Sequence, residues 1–373
     1  MLNIVITANT SWYIYNFRRN TILSLIAEGY HVIAVAPRDD YSDKLIMLGC
    51  QFVDIEIDQG GTNPIKDLKT IFEFYNIYRK FKVNCVLNFT PKNNIYSTLS
   101  ASLLGIKSIN NIAGLGVLFI NESIKSKIAR FLYKISQHRA SRVFFQNEED
   151  RRIFLELGYV KEHITDRLPG SGVDVSRFAL SPSDNNGIVR FLLIARMLYD
   201  KGILHYVEAA RILREKYGQQ VEFRLLGFLD VNNPSAVSNK DMQSWVNEGI
   251  ISYLGTSDNV ENEIAKVDCM VLPSFYREGV PKSLLESGAM GKPIVTTNNV
   301  GCRETVDDGI NGYLCTPRST SSLISSLEKI INMTHEERLL MGLASREKMV
   351  REFDEKIVIE RYIKAVEECL NFQ

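Results

Sequence analysis

Short β-branched and aliphatic runs alternate with longer amphipathic stretches from one end of the chain to the other. Apolar runs bounded by polar turns read as strands buried on both faces, and the intervening 3.6-residue periodicity reads as helix. In the first half this pattern predicts strands at 2–8, 31–36, 51–57, 83–89, 107–112 and 142–146, with helices near 15–28, 64–81, 94–104, 123–139 and 147–157. The polar break Ser181-Pro182-Ser183-Asp184-Asn185-Asn186-Gly187 then reads as a linker. Beyond it the pattern restarts, with strands at 189–195, 221–226, 250–254, 268–273, 293–297 and 312–315, helices at 202–217 and 281–290, and three closing helical stretches at 319–333, 335–351 and 355–370.

Two consecutive α/β halves imply two Rossmann-like, doubly wound domains, 1–180 and 188–354, with the helix at about 355–373 packing back on the first. Ligands in such sheets bind beyond the carboxyl ends of the strands, which places the expected site in a central cleft between the two domains.

Composition narrows the picture little. The 373 residues carry 44 Lys+Arg against 44 Asp+Glu, so nothing global points to nucleic acid. Six cysteines without C-x-x-C spacing, several of them in apolar runs, read as reduced, buried thiols of a cytosolic protein. The N-terminal MLNIVITA reads as a strand rather than a signal peptide, and no apolar stretch is long enough to span a bilayer.

Several chemistries are missing. No G-x-G-x-x-G follows the first strand, where Ala8-Asn9-Thr10-Ser11-Trp12-Tyr13 stands instead, and no Walker A, G-x-S-x-G or H-E-x-x-H sequence occurs. Five scattered histidines make no metal-ligand spacing, and Asp54, Glu56 and Asp58 read as a solvated strand face, so neither metal nor cofactor is expected.

The strongest chemical signal is Tyr276-Arg277-Glu278-Gly279-Val280-Pro281-Lys282-Ser283-Leu284-Leu285-Glu286, which leaves the apolar strand 268–273 and enters a helix. Gly279 permits a tight turn and Pro281 suits a first helical turn, so the N–H groups of residues 282–284 would form an anion site. A diphosphate over that helix start would put Glu278 and Glu286 near opposite ends of a nucleotide sugar, where a carboxylate can accept hydrogen bonds from vicinal hydroxyls. Arg196, ending strand 189–195, and Lys201, entering the next helix, offer a fork and a point charge suited to a diphosphate.

These residues resemble the family-4 retaining glycosyltransferases of the GT-B fold. Those proteins carry a Glu-x7-Glu motif, here Glu278 to Glu286, and an upstream R-x4-K-G, here Arg196 to Gly202. Gly172-Val173-Asp174 with Arg177-Phe178, Leu225-Leu226-Gly227 and Gly301-Cys302-Arg303-Glu304-Thr305-Val306 resemble further loops of the family. The resemblance implies that Glu278 meets the donor sugar, Glu286 holds the ribose, and Arg196 and Lys201 hold the diphosphate of a donor, UDP-linked. It adds Gly227, Gly279, Val280, Pro281, Lys282 and Ser283 to the donor site.

Thr90-Pro91-Lys92-Asn93-Asn94-Ile95-Tyr96 and Ile112-Ala113-Gly114-Leu115-Gly116 resemble a bacterial subgroup, the PglA type, that extends lipid-linked surface glycans. It implies a lipid-diphosphate-linked saccharide as acceptor and a pathway of the O-antigen or capsule kind. Arg18, Lys92, Asn93, Gly114 and Gly116 are the residues assigned to acceptor or phosphate. The glycine pair after strand one and the cleft histidine common in the family are not at their expected places.

Residues 122–142 hold Lys125, Lys127, Arg130, Lys134, Arg139 and Arg142 against Glu122, with Ile124, Ile128, Phe131, Leu132 and Ile135 as an apolar stripe. Such a helix can lie on an anionic membrane surface, placing the protein peripherally on the cytoplasmic face of the inner membrane. Alternatively, the stripe packs on the sheet while the lysines face water. Two rival functions share the fold: a non-hydrolysing sugar-nucleotide epimerase, for which no acid–base pair can be placed, and a non-catalytic nucleotide-sugar-binding subunit, which the intact Arg196, Lys201, Glu278 and Glu286 set disfavours.

Overall fold

A computed structural model describes residues 1–58, 63–115, 124–229 and 233–371. The chain divides into two compact units, Met1–Ser171 with Lys356–Gln373, and Gly172–Glu355.

The first unit runs β1 (Asn3–Thr7), α1 (Ser11–Ala27), β2 (His31–Ala36), α2 (Ser42–Met47), β3 (Gln51–Asp54), α3 (Pro64–Lys80), β4 (Cys85–Asn88), α4 (Pro91–Leu103), β5 (Lys107–Ile112), α5 (Ile124–Gln137), β6 (Arg142–Phe145), α6 (Glu148–Glu156) and β7 (Thr165–Arg167). The strands form one parallel sheet in the order β3-β2-β1-β4-β5-β6-β7. Helix starts are fixed locally: the Thr10 hydroxyl accepts from Tyr13 N at 3.0 Å, Asn63 caps α3 ahead of Pro64, and Asn147 accepts from Asp150 N at 2.7 Å. Phe74 and Tyr78 of α3, Ile95 and Tyr96 of α4 and Tyr133 of α5 pack on one face of the sheet, and α1 packs on the other.

The second unit runs β8 (Val189–Ile194), α7 (Ile203–Tyr217), β9 (Val221–Leu226), α8 (Asn239–Asn247), β10 (Ser252–Tyr253), α9 (Val260–Ala265), β11 (Cys269–Leu272), α10 (Lys282–Ala289), β12 (Ile294–Thr297), β13 (Gly312–Cys315), α11 (Thr320–Asn332) and α12 (His335–Glu352). Its sheet is parallel, in the order β10-β9-β8-β11-β12-β13. Chain order reverses between β1 and β4 in the first sheet and between β8 and β11 in the second. At such switch points the loops leave on opposite sides and open a ligand crevice.

The final helix, α13 (Glu355–Asn371), buries Val358, Tyr362, Ala365, Val366 and Cys369 in the core formed by β1, β4 and α1. Residues 172–180, assigned from sequence to the first domain, pack in the second unit. Val173 N donates to Phe353 O at 2.9 Å, and Arg346 donates to the carbonyls of Val175, Phe178 and Ala289 at 2.6–2.9 Å. The strand expected at 51–57 stops at Asp54, because Ile55 and Ile57 enter the core outside the ladder while Glu56 turns out to Lys69 at 2.5 Å. Helices α2, α8 and α9 and strand β7 are not among the elements that the periodicity predicts. All six cysteines are free and buried.

Candidate active site

The loops leaving β8 and β11 meet at the switch point of the second unit. After β8 the chain passes Arg196 and a 3-10 turn, Tyr199–Lys201, and enters α7 through Gly202 at φ +79°. A side chain at Gly202 would collide with the carbonyl of Pro273, so glycine alone lets this turn lie against the end of β11. The carbonyl of Asp200 accepts from the N–H groups of Phe275 (3.0 Å) and Tyr276 (3.1 Å), tying the two loops together through backbone.

That fixture brings Lys201 and Glu278 into an ion pair, each side chain only 12% exposed. The same Glu278 oxygen, Oε1, accepts from Ser274 Oγ at 2.9 Å. Ser274 is fully buried, its carbonyl accepting from the Thr297 hydroxyl, so Glu278 is held from a rigid strand end. The Lys201 ammonium also lies 5.2 Å from the centroid of the Tyr276 ring. Burial pushes the Tyr276 phenol up; the Glu278 carboxylate adds to this and the Arg196 charge opposes it, Arg196 itself being exposed two residues past β8. Gly301, at φ +83°, sits where any side chain would strike the carbonyls of Glu278 and Gly279. Asn299 Nδ2 bonds Tyr276 O at 2.8 Å, completing the support of this loop by the turn after β12.

Helix α10 begins at Lys282 with Pro281 as an N-cap that supplies no side-chain bond. The N–H of Leu284, expected at the anion-binding mouth, instead closes the first turn on Pro281 O at 3.1 Å. Val280 is buried beneath the turn. Four residues into the helix, Glu286 lies 4.0 Å from Lys282 and its side chain is 13% exposed. Burial raises its carboxyl to about 7; Lys282 and Arg177 oppose the shift and Glu261 reinforces it. Glu286 is therefore no solvated helix-face acid. Arg177 forks onto Glu261 at 2.9 and 3.3 Å, which sets a fixed charge beside Glu286. Gly227 follows β9; its N–H donates to Gly255 O at 2.7 Å and its carbonyl accepts from Tyr253 OH at 2.8 Å.

Sequence reasoning missed Ser274 and gave Arg177 no role. Ser274 has a signal, since it falls two residues past a buried strand, where polar side chains line a crevice; Arg177 meets α9 only in three dimensions.

In the first unit, Asn93 is buried, accepting from Thr90 Oγ1 and donating to Thr7 Oγ1, both at 2.6 Å. It thereby ties the ends of β1 and β4 at the other switch point. Lys92 pairs with Asp67 at 2.8 Å, each side chain 19% exposed. The buried Arg18 guanidinium stacks 4.2 Å from the Phe89 centroid and 5.6 Å from that of Tyr362. Gly114 has φ +106°, and Gly116 lies outside the described residues. Among the described residues no group of three or more His, Cys, Asp or Glu side chains is arranged to hold a metal ion, and no helix is long and apolar enough to cross a membrane.

Residues 189–333 match the family model described as "Glycosyl transferases group 1", and residues 3–147 match "Glycosyl transferase 4-like". The chain belongs to the family-4 glycosyltransferases. It is 29% identical over 94% of both chains to the N,N'-diacetylbacillosaminyl-diphospho-undecaprenol alpha-1,3-N-acetylgalactosaminyltransferase of Campylobacter jejuni. It is 25% identical to the UDP-Gal:alpha-D-GlcNAc-diphosphoundecaprenol alpha-1,3-galactosyltransferase of Escherichia coli, over 78% of this chain and 76% of that one. A glycosyltransferase from Rickettsia africae has the same fold, with TM-score 0.79 at 17% identity, covering 99% and 98% of the two chains. So has an Anabaena protein crystallised with UDP, with TM-score 0.77 at 13% identity, covering 99% and 100%. The fold is therefore GT-B, and this family-4 glycosyltransferase is a hexosyltransferase.

Proposed function

We propose that the enzyme moves a hexose or N-acetylhexosamine, with retention at the anomeric carbon, from a UDP-linked donor to a lipid-diphosphate-linked saccharide of a bacterial surface polysaccharide. The observation that carries this reading is the Lys201–Glu278–Ser274 constellation at the β8/β11 switch point. Lys201 has three N–H donors, so bonding Glu278 leaves others for phosphate oxygens, and Arg196 supplies a second cation at the same loop. In the reaction the bond from the anomeric carbon to phosphate oxygen breaks. The acceptor oxygen bonds to that carbon on the same face, its proton passes to the leaving phosphate, and the nucleoside diphosphate departs. The acceptor class follows from the two lipid-diphosphate relatives, which match this chain along most of its length. A screen of nucleotide sugars with a synthetic undecaprenyl-diphosphate saccharide, read by mass and NMR, tests it; donor binding without transfer to any lipid-linked acceptor would sink it.

The two cations at the diphosphate make a divalent ion unnecessary. Transfer in excess EDTA is expected to stay within a small factor of that with Mg²⁺, and complete loss on chelation would overturn the metal-free mechanism.

The protein also docks on the cytoplasmic face of the inner membrane through α5 in this reading. Helix α5 turns polar and aromatic side chains inward, burying Ser126, Tyr133, Ser136 and Gln137. Ile128 and Phe131, on the opposite side, are 56% and 61% exposed beside the exposed Lys127 and Lys134. An apolar stripe flanked by lysines at the surface suits an anionic lipid headgroup layer. Lys125, assigned to the same surface, has its side chain outside the described residues, and Arg130 is half-buried. Charge reversal at Lys127 and Lys134 should abolish salt-sensitive binding to anionic vesicles; unchanged sedimentation with vesicles would count against this surface.

A further inference from the structure

We propose that α3 is a second lipid-contacting element, so that the first unit meets an anionic bilayer through two ridges, α3 and α5, with α4 sunk between them. The proposal extends the membrane reading of α5. Helix α3 buries Thr70, Phe74 and Tyr78 against the sheet side. Ile65, Leu68 and Phe72, spaced by three and four residues, form a stripe on another side of the helix and are 81%, 67% and 65% exposed. Three large apolar side chains in a row, each more than three-fifths in water, make a patch rather than scattered surface residues. The Phe72 ring stacks with Tyr75 at 6.3 Å, which extends the apolar surface along the helix.

The layer order makes the two stripes neighbours. Helix α4 packs against both α3 and α5, and eight of its 13 residues are buried. The helices on either side of it therefore supply the outer surface of that face.

Charge selects the occupant. Lys66, Lys69, Arg79 and Lys80 on α3 join the exposed Lys127 and Lys134 on α5, against Asp67 and Glu73 of α3 and Glu56, which pairs with Lys69 at 2.5 Å, in a chain whose charges balance overall. Asp67 is itself neutralised by Lys92 at 2.8 Å. A second copy of the chain in a two-fold interface would set this cationic face against itself. An anionic lipid surface complements the lysines and takes up the apolar stripe, as an amphipathic helix lies in the interfacial plane.

The full chain is sedimented with phosphatidylcholine vesicles with and without phosphatidylglycerol, at low and high salt. The variant Ile65→Ser/Leu68→Ser/Phe72→Ser should partition at least about tenfold less onto the anionic vesicles, since each buried methylene contributes favourably to transfer. That loss should persist at high salt, because apolar contact is not screened, whereas the loss in Lys127→Glu/Lys134→Glu should vanish there. As a second readout, Phe72→Trp should show emission quenched by brominated lipid in the anionic vesicles. Parental partitioning in the triple variant, or an unquenched Phe72→Trp, overturns the proposal. So does a parent dimer that the triple variant dissociates without change in vesicle binding, which would make a second copy the occupant. Transfer to a short-chain, water-soluble acceptor analogue should be unaffected in the triple variant. Absence of transfer in the parent, with vesicle binding intact, would overturn the assigned reaction and leave the α3 surface standing.

Discussion

Lys201→Ala is expected to lower kcat for sugar transfer by about 10²–10³-fold, the cost of removing one preorganised contact to charge that develops in the transition state, or ~2.7–4 kcal/mol. Negative charge grows on the diphosphate as the glycosidic bond breaks, so an ammonium fixed at that place binds the transition state better than the bound donor. Lys201 is fixed from both ends: the turn before it is bonded to the β11 loop through Asp200 O, and its ammonium is bonded to Glu278. Removing it also strips Glu278 of its cation in a site where both side chains are largely buried, leaving the Ser274 hydroxyl as a neutral donor. Removing one partner of a largely buried pair is destabilising, which would add to the loss. Arg196→Lys should also be poorly tolerated, since charge remains but the bidentate fork is lost. Steady-state transfer with thermal unfolding as a control measures both effects. Normal turnover in the two variants would place the pair outside the chemistry.

The second large effect separates the two glutamates. Glu278→Gln keeps the volume, breaks the pair with Lys201 and, on the proposed assignment of Glu278 to the reacting end of the donor, should chiefly lower kcat. Glu286→Gln should chiefly raise KM for the donor and weaken free nucleotide, whereas Glu278→Gln should barely change nucleotide affinity. The reverse pattern would refute the assignment.

Glu286 adds a pH signature. Its carboxyl is raised to about 7 by burial, so the ionised form, the stronger acceptor for ribose hydroxyls, becomes dominant only above that value. Affinity for a non-cleavable nucleotide-sugar analogue should therefore rise with pH through about 7 in the parent and stay flat in Glu286→Gln. Stability runs the other way. A folded pKa above the ordinary carboxylate value means that ionisation costs folding free energy, a cost absent in acid, growing with pH and complete above about 7. Glu286→Gln should accordingly raise Tm at pH 8 and give no such gain at pH 4. A parent enzyme with pH-independent analogue binding would show that this carboxylate does not face the nucleotide.

What the sequence determined by itself is what depends on order along the chain. Alternating apolar runs and helical periods point to parallel, doubly wound sheets, whereas the strand order that reverses between β1 and β4 and between β8 and β11 was decided by the tertiary structure. The spacing of Arg196, Lys201, Glu278 and Glu286 against the ends of β8 and β11 was likewise visible, because residues just past a strand inherit the strand's position. What depends on contacts remote in sequence was not visible. Residues 172–180 read as the tail of the first domain, yet Arg346, far along the chain, binds three carbonyls in and beside that segment and draws it into the second unit.

Helix α5 shows the limit most clearly. Its periodicity defined an apolar stripe but gave no direction to it. Tertiary structure decided, since Gln137 accepts from Asn110 Nδ2 at 2.8 Å and donates to Asn94 O at 3.1 Å. A polar helix face whose hydrogen bonds are satisfied inside the protein can be buried at little cost, and Ile128 and Phe131 of the stripe are then left to the surface while Leu132 packs against the core.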